Sequence, residues 1–182
     1  QGISQSLGVA GASFGAPNSN NQSTLSAETA YSIGSLTLQG EYAISMLDNT
    51  HQTGGNIKNS TIHAFYAQAS WFVTGENAVY RKDRGAFGKP QPNGKWGALE
   101  IAGRYDLAEN FNQSLTADPC STGTSKCQVQ IITLGVNWYP CQGIRFMLNY
   151  YITEATTGNT GLGTSTRDDN LHVLSFRTQI SF

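Results

Sequence analysis

Seven ionisable and two amide side chains occupy the polar positions of segments in which polar and apolar residues alternate. Such groups, spread over several strands on one face, can attract or repel ions in water, and at membrane depth they require water or partners. The set has three cations and four anions, whereas a strongly anion-selective lining needs an excess of positive charge. The alternative is a structural role, in which these side chains pair with neighbours across the wall. Glu100 and Arg104, which lie four residues apart on one face, are an example. The candidate pore-lining residues are Glu28, Glu41, Glu100, Arg104, Asp106, Arg145, Asn149, Arg177 and Gln179.

The remaining reactive side chains give little support for catalysis. The three histidines form no Ser/His/Asp arrangement and no metal-ligand spacing. A Gly-rich phosphate loop and a Walker motif are also absent from the sequence. We therefore expect no enzyme activity, no metal and no cofactor.

One basic cluster, Arg81, Lys82 and Arg84 in "RKDR", stands out from a chain of low charge. The functional interpretation is a vestibule or lumen segment that attracts anions. The plainer interpretation, which we favour, is a solvated surface turn.

The three cysteines fall into two groups. Cys120 and Cys127 flank the small polar loop "STGTSK", which predicts a local disulfide in an oxidising compartment. Two free thiols are the alternative. Cys141 lies in the turn "YPCQG", at the far end of a predicted strand, and is expected to be a lone thiol.

The elements that must position these residues are strands. Eight segments alternate with period two, and most approach the ~9–11 residues that a tilted strand needs to cross a bilayer. They are residues 3–14, 25–33, 36–47, 61–74, 97–108, 128–139, 144–156 and 171–182. Connections at 34–35 and 140–143 are tight, and long polar connections alternate with them, as in an outer-membrane barrel. Residues 75–96 break this pattern, because they are long but belong to the tight-turn side.

Aromatic residues distinguish the apolar face from that of a soluble sandwich. Trp71, Trp138 and Phe182 all fall on the apolar face near the same end of their strands, as a membrane girdle would. The last strand reaches Phe182 itself, so we expect a closing strand of a barrel. The fold class predicted is therefore an all-β, transmembrane, antiparallel β-barrel with about eight strands in this chain.

The composition agrees with this fold class. Only 13% of the residues are charged and 38% are hydrophobic, so neutral polar residues and glycine dominate, as in turn-rich barrels. The net charge of −1 gives no sign of a nucleic-acid partner. The sequence begins at Gln1 without a signal peptide, and we expect a processed or truncated start.

Residues 70–110 resemble the phosphate-selective porin family (the O and P type). The family phrase begins W-x-x-T-G-E and continues through Tyr, Gly-x-Phe, Pro, Gly-Ala-x-Glu and Arg-Tyr. Its counterparts here are Trp71, Thr74-Gly75-Glu76, Tyr80, Gly85–Phe87, Pro90, Gly97-Ala98, Glu100 and Arg104-Tyr105. The stretch "TLGVNWYP…IRFMLNY" and the final Arg-x-Gln-x-x-Phe are also similar. The terminal aromatic matches the outer-membrane targeting signal of such barrels.

The resemblance implies a bacterial outer-membrane porin, with lipid and small solutes as partners. Family members are sixteen-stranded trimers, so this chain resembles their C-terminal half, and a homotrimer or a missing barrel half is expected. One departure is Leu99, where the family has Trp. The family's basic ladder and constriction loop lie largely in the other half, so phosphate selectivity does not carry over.

Three functions compete. The leading hypothesis is a water-filled channel for passive diffusion of small solutes, with anions such as phosphate weakly favoured on family resemblance. The second is a complete eight-stranded barrel with a structural or loop-mediated binding role. Against it, the small inward residues of the first segment would leave a narrow barrel underfilled. The third is a soluble carbohydrate-binding β-sandwich, which the aromatic band disfavours.

Overall fold

A computed structural model describes most of the strand-forming part of the chain. The described residues are 21–50, 58–77, 80–81, 86–88, 90–110, 127–157 and 167–181. The strand expected at 3–14 lies outside them, as does Phe182.

Within these residues the secondary structure is entirely β. The strands are β1 (Asn21–Ile33), β2 (Leu36–Thr50), β3 (Lys58–Phe72), β4 (Tyr80–Arg81), β5 (Ala86–Phe87), β6 (Ala98–Asn110), β7 (Cys127–Cys141), β8 (Ile144–Thr157) and β9 (Arg167–Ile180). Several begin three or four residues earlier than the alternation indicated, as β1 and β9 do. Backbone pairing continues there because ladder hydrogen bonds do not require apolar side chains. No helix in the described ranges is long and apolar enough to span a bilayer.

The seven long strands of the described region form one antiparallel sheet in the order β1-β2-β3-β6-β7-β8-β9. Each strand pairs with its neighbour along the chain, except that β3 pairs with β6 across residues 73–97. The short strands β4 and β5 form a separate hairpin inside that insertion, where only a long connection was expected. The predicted all-β antiparallel fold is confirmed.

The tight turns between neighbouring strands are built on glycine. Gly34 and Gly143 have φ angles of 55° and 95°, a region that residues with a Cβ atom rarely adopt. A Cβ atom on Gly143 would also lie 2.6 Å from the carbonyl oxygen of Ser181. Turn geometry and close backbone approach therefore both require glycine at this position.

The two faces of the sheet invert the distribution of polar and apolar side chains that is usual in a soluble protein. We call the side that carries Leu134 and Phe176 the outer face; these side chains are 53% and 67% exposed. The opposite side, the inner face, buries polar residues such as Thr37, Asn137 and Thr153. Apolar exposure with polar burial is typical of a barrel wall in lipid.

The sheet curls toward its inner face. One cavity is lined both by Thr37 of β2 and by Gln179 of β9. These strands are five strand spacings apart in the sheet order, which would be about 24 Å in a flat sheet. Strands so distant can share a cavity only because the sheet is strongly curved.

Candidate functional site

All nine candidate lining residues lie on the inner face, as the strand register shows. They are Glu28, Glu41, Glu100, Arg104, Asp106, Arg145, Asn149, Arg177 and Gln179. Their charges are not evenly distributed. Glu28 lies directly opposite Glu41 near the middle of β1 and β2, whereas Arg145 and Arg177 lie near the tight turns.

Arg104 is neutralised within its own strand. Its Nε donates to both carboxylate oxygens of Asp106, at 2.9 and 2.8 Å, and one of its terminal nitrogens donates at 2.6 Å. The guanidinium also covers the ring of Tyr66, with 3.8 Å between the guanidinium carbon and the ring centroid. The fork geometry and the cation–π contact hold this group in place, so Asp106 largely neutralises its charge.

Glu100 does not pair with Arg104. Its carboxylate accepts hydrogen bonds from Asn137 Nδ2 at 2.9 Å and from the Tyr139 hydroxyl at 2.8 Å. Both donors lie on β7, the adjacent strand, so a neutral network disperses the charge of Glu100 across the wall.

Arg145 is in a different state from Arg104. Its guanidinium lies over the ring of Tyr139, 5.3 Å from the centroid. Among the described residues it forms no ion pair, and its Nε atom is buried without a hydrogen-bond partner. Tyr139 therefore supports a cation that has no charged partner among the described residues.

The insertion between β3 and β6 is anchored at its start by Thr74 and Glu76. Thr74 Oγ1 accepts from the backbone N–H of Leu99 at 2.9 Å and donates to Glu76. The Glu76 carboxylate also accepts from the backbone N–H of Asn93 at 3.3 Å, and the side chain is only 3% exposed. The buried carboxylate thus joins the two ends of the insertion to each other, and Thr74 attaches them to β6 through Leu99.

Gly97 closes the insertion against β7. Its φ angle is +79°, and a Cβ atom there would lie 2.1 Å from the carbonyl oxygen of Tyr139. This close approach holds the buried cluster of Phe72, Ala98 and Tyr139 at the base of the insertion. Only glycine fits at this position, and its presence allows the chain to turn here from the insertion into β6.

The insertion lies on the inner side of the curved sheet. Phe87, Gly88 and Pro90 line a cavity of about 390 Å³ together with inner-face residues from six strands. Arg145, Glu100 and Tyr139 line the same cavity. The segment that broke the turn-length pattern thus narrows the inner side at the tight-turn end.

The other candidate lining residues have simpler surroundings. Asn149 covers Gly135, where a Cβ atom would lie 2.7 Å from the amide oxygen. Gln179 Nε2 is 3.5 Å from Ser181 Oγ, and Arg177 is exposed on β9. These contacts leave the polar groups of β9 open to the inner side.

Aromatic side chains of the outer face lie at the tight-turn end and near the middle of the strands. At the tight-turn end, Trp71 and Trp138 are about half exposed, and Trp138 Nε1 donates to the carbonyl oxygen of Trp96 at 2.8 Å. Near the middle of β8 and β9, Tyr150 and His172 are joined by a 2.9 Å hydrogen bond between the hydroxyl and Nδ1. The amphipathic rings at the tight-turn end are typical of a membrane–water interface.

Several predicted residues are only partly described or lie outside the described residues. Arg81 belongs to β4 and Cys127 begins β7, but their side chains are not described. Lys82, Arg84, Cys120 and Phe182 lie outside the described residues. Cys141 is an exposed free thiol at the end of β7.

Sequence reasoning missed the parts of the site contributed by the insertion. Phe87 and Pro90 lie outside the alternating segments, so no sequence period reveals that they face inward. The burial of Glu76 depends on tertiary contacts. Tyr139 could have been found, because it alternates with the outward Trp138 and so faces inward. A Thr-Gly-Glu sequence directly after a strand was the only available signal of the anchor.

These features together define the wall of a transmembrane β-barrel: a curved antiparallel sheet, an apolar outer face with tryptophans at the tight-turn end, and a charged inner face. The family model described as phosphate-selective porin O and P matches residues 4–182. The chain belongs to this family, which places it in the outer membrane of Gram-negative bacteria.

A curated relative points the same way. Porin O of Pseudomonas aeruginosa strain PAO1 is 28% identical over 137 residues, which are 74% of this chain and 31% of the relative. The matched region thus spans about a third of the length of that relative. The resemblance first noted in residues 70–110 is confirmed.

Proposed function

We propose that the chain forms part of the wall of a water-filled channel through which small solutes diffuse passively, with anions weakly favoured. No covalent chemistry is required of it. Family membership supports a channel rather than an enzyme, and solute selection would depend on the charge and width of the inner side.

The contrast between two arginines carries the proposed preference for anions. Asp106 neutralises Arg104 with three hydrogen bonds, so this pair contributes little net field. Arg145 has no ion pair among the described residues and lies beside the inward insertion. An unpaired guanidinium at a constriction attracts anions more than its share of the total charge suggests, because a narrow, partly dry passage screens it weakly.

The barrel that contains this wall is proposed to be larger than the chain. The described sheet is open, with β1 and β9 at its edges, and further strands must satisfy their backbone groups in lipid. We propose a sixteen-stranded barrel, completed by a further half, and a trimer of such barrels. A complete eight-stranded barrel is less favoured, because its interior would be filled by its own side chains.

The test is electrical. The purified native assembly, reconstituted in a planar bilayer under a tenfold KCl gradient, should give a reversal potential of the sign expected for chloride preference. Arg145→Gln should shift that potential toward cations. A cation preference in the unmodified protein, or no shift in the variant, would contradict the proposed role.

A matched control separates local from general charge effects. Lys95 is an exposed cation of the insertion that does not line the cavity. Lys95→Gln removes the same charge, so its shift should be clearly smaller than that of Arg145→Gln. Equal shifts would mean that only the total charge of the protein matters, and not the position of Arg145 in the lining.

A further inference from the structure

We propose that lipid headgroups of one leaflet bind the outer face at a ring of tyrosine pairs near the middle of the strands, and not at the strand ends. The leaflet is the one on the long-connection side, opposite the tight turns. We call this feature the tyrosine ring; its tyrosines are Tyr42, Tyr105 and Tyr150. The inference concerns the membrane and does not depend on which solutes the channel passes.

The three pairs of the tyrosine ring share one geometry. In each, the tyrosine hydroxyl is hydrogen-bonded to a polar side chain of the next strand in the sheet. That partner lies two residues beyond the residue directly opposite the tyrosine, on the long-connection side. The same diagonal contact thus recurs across six strands as one feature of the wall. The pairs are Tyr42–His63, Tyr105–Gln130 and Tyr150–His172.

The pairs also lie at one level of the wall. Counted from the tight-turn end, Tyr42 and Tyr150 are each the seventh residue of their strand, and Tyr105 is the eighth. The tight-turn ends mark one edge of the barrel wall. Tyrosines at equal distances from that edge therefore form a ring parallel to the membrane plane.

The distance from the tyrosine ring to the tryptophans fits a bilayer. Trp71 and His63 are eight residues apart on β3, and so are Trp138 and Gln130 on β7. Each segment thus contains nine residues, and a tilted strand needs ~9–11 residues to cross a bilayer. At ~3.3 Å per residue and a tilt of ~40°, the height is about 20 Å, close to the ~25 Å apolar band of outer-membrane barrels.

The outer face changes its polarity at the tyrosine ring. Two residues from each polar partner toward the tight turns the outward side chain is apolar, and two residues toward the long connections it is polar. The apolar residues are Phe65, Ile132 and Leu174, and the polar residues are Thr61, Gln128 and Asn170. Glu109 of β6 and Glu154 of β8 also lie beyond the ring. Because carboxylates are strongly disfavoured in hydrocarbon, the hydrocarbon ends at the ring.

The chemistry of the ring suits headgroups. A tyrosine can keep its ring among acyl chains while its hydroxyl reaches polar groups, and the imidazole and amide groups can exchange hydrogen bonds with headgroup phosphates. β3 begins at Lys58 and β9 at Arg167, each five residues beyond the histidine of its pair. About 13 Å of wall therefore projects from the membrane on this side.

Spin labels locate the boundary directly. Asn170→Cys and Phe176→Cys are labelled one at a time in the native assembly, which also carries Cys120→Ser, Cys127→Ser and Cys141→Ser, and are reconstituted in phosphatidylcholine vesicles. Collisions of each label with oxygen, which concentrates among acyl chains, are compared with collisions with a water-soluble nickel chelate. The label at position 176 should meet mainly oxygen, and the label at position 170 mainly nickel.

Two other outcomes would overturn the proposal. Mainly oxygen at both positions would place the boundary at the strand ends. Protection of position 170 from both reagents would mean that another barrel, and not lipid, covers the ring.

Arginine substitutions in the natural cysteine background give a second test. Leu134 lies midway between Trp138 and Gln130, and Gln128 lies just beyond the ring on the same strand. Leu134→Arg should lower the equilibrium constant for folding in vesicles about thirtyfold or more, whereas Gln128→Arg should change it less than about fivefold, because headgroup phosphates can bind its guanidinium. A comparable loss in both variants would place Gln128 in hydrocarbon and refute the boundary.

Discussion

Replacing Gly97 by alanine should destabilise the folded wall far more than the same change at Gly34. Both residues have positive φ angles, +79° and +55°, so each alanine incurs about 1–2 kcal/mol of backbone strain. Around Gly34 the space is open, with nothing within 4 Å of the added Cβ. At Gly97 the new atom would lie 2.1 Å from the carbonyl oxygen of Tyr139 and 2.7 Å from Cα of Pro140.

That overlap sets the magnitude. Normal contacts are 3.4 Å or longer, so the end of β7 and the start of β6 must separate by about an ångström or more. Overpacking of this kind typically costs ~1–3 kcal/mol, which brings Gly97→Ala to a total of about 2–5 kcal/mol, against about 1–2 kcal/mol for Gly34→Ala. The displaced carbonyl belongs to Tyr139, so the contact between the Tyr139 ring and the Arg145 guanidinium should be disturbed as well.

The assay is reversible urea unfolding of the protein in lipid vesicles, followed by tryptophan fluorescence and by the mobility difference between folded and unfolded barrels in gels. Gly97→Ala should lower the free energy of unfolding by the larger amount. It should also widen the distribution of single-channel current amplitudes. Equal destabilisation by the two alanines would refute the reasoning, since it would mean that the close approach at Gly97 is not a real constraint.

Three further substitutions test other parts of the wall. Asp106→Asn should free Arg104 and shift the reversal potential in a KCl gradient toward chloride; an unchanged potential would mean that the pair does not face permeating ions. Thr74→Val should cost about 1–3 kcal/mol, because it removes a hydrogen bond from the buried Glu76, and it should speed protease cleavage within residues 75–96. Leu134→Arg, in the middle of β7 on the outer face, should cost about 2–4 kcal/mol in urea unfolding in vesicles; an arginine tolerated there would contradict the lipid-facing assignment.

The fold class could be predicted from the sequence because the period of two is imposed by strand geometry itself. Once Leu134 and Trp138 are assigned to an apolar face, the register of every inward residue on that strand follows. The pairing of neighbours along the chain also follows from the tight turns, as at Gly34. Strand ends were less predictable, since backbone pairing continues beyond the alternating residues.

The site was less accessible because its key contacts are not periodic. The partner of Arg104 lies two residues along its own strand, whereas spacing alone left Glu100 as an equally good neighbour. Phe87 lines the cavity because the insertion turns inward, and that depends on the buried Glu76 and on the close approach at Gly97. Such contacts join residues distant in sequence, and a single sequence carries no pattern that reveals them.

The position of the insertion divides the wall into two parts that can change independently. Both anchors of the insertion, Thr74 and Gly97, bind strands at the tight-turn end, while the connections at 51–57, 111–126 and 158–166 join strands at the opposite end. The anchors of the insertion are thus separated from those connections by the length of the strands, so an engineer can graft new sequences into the connections without replacing the contacts of Thr74 and Gly97.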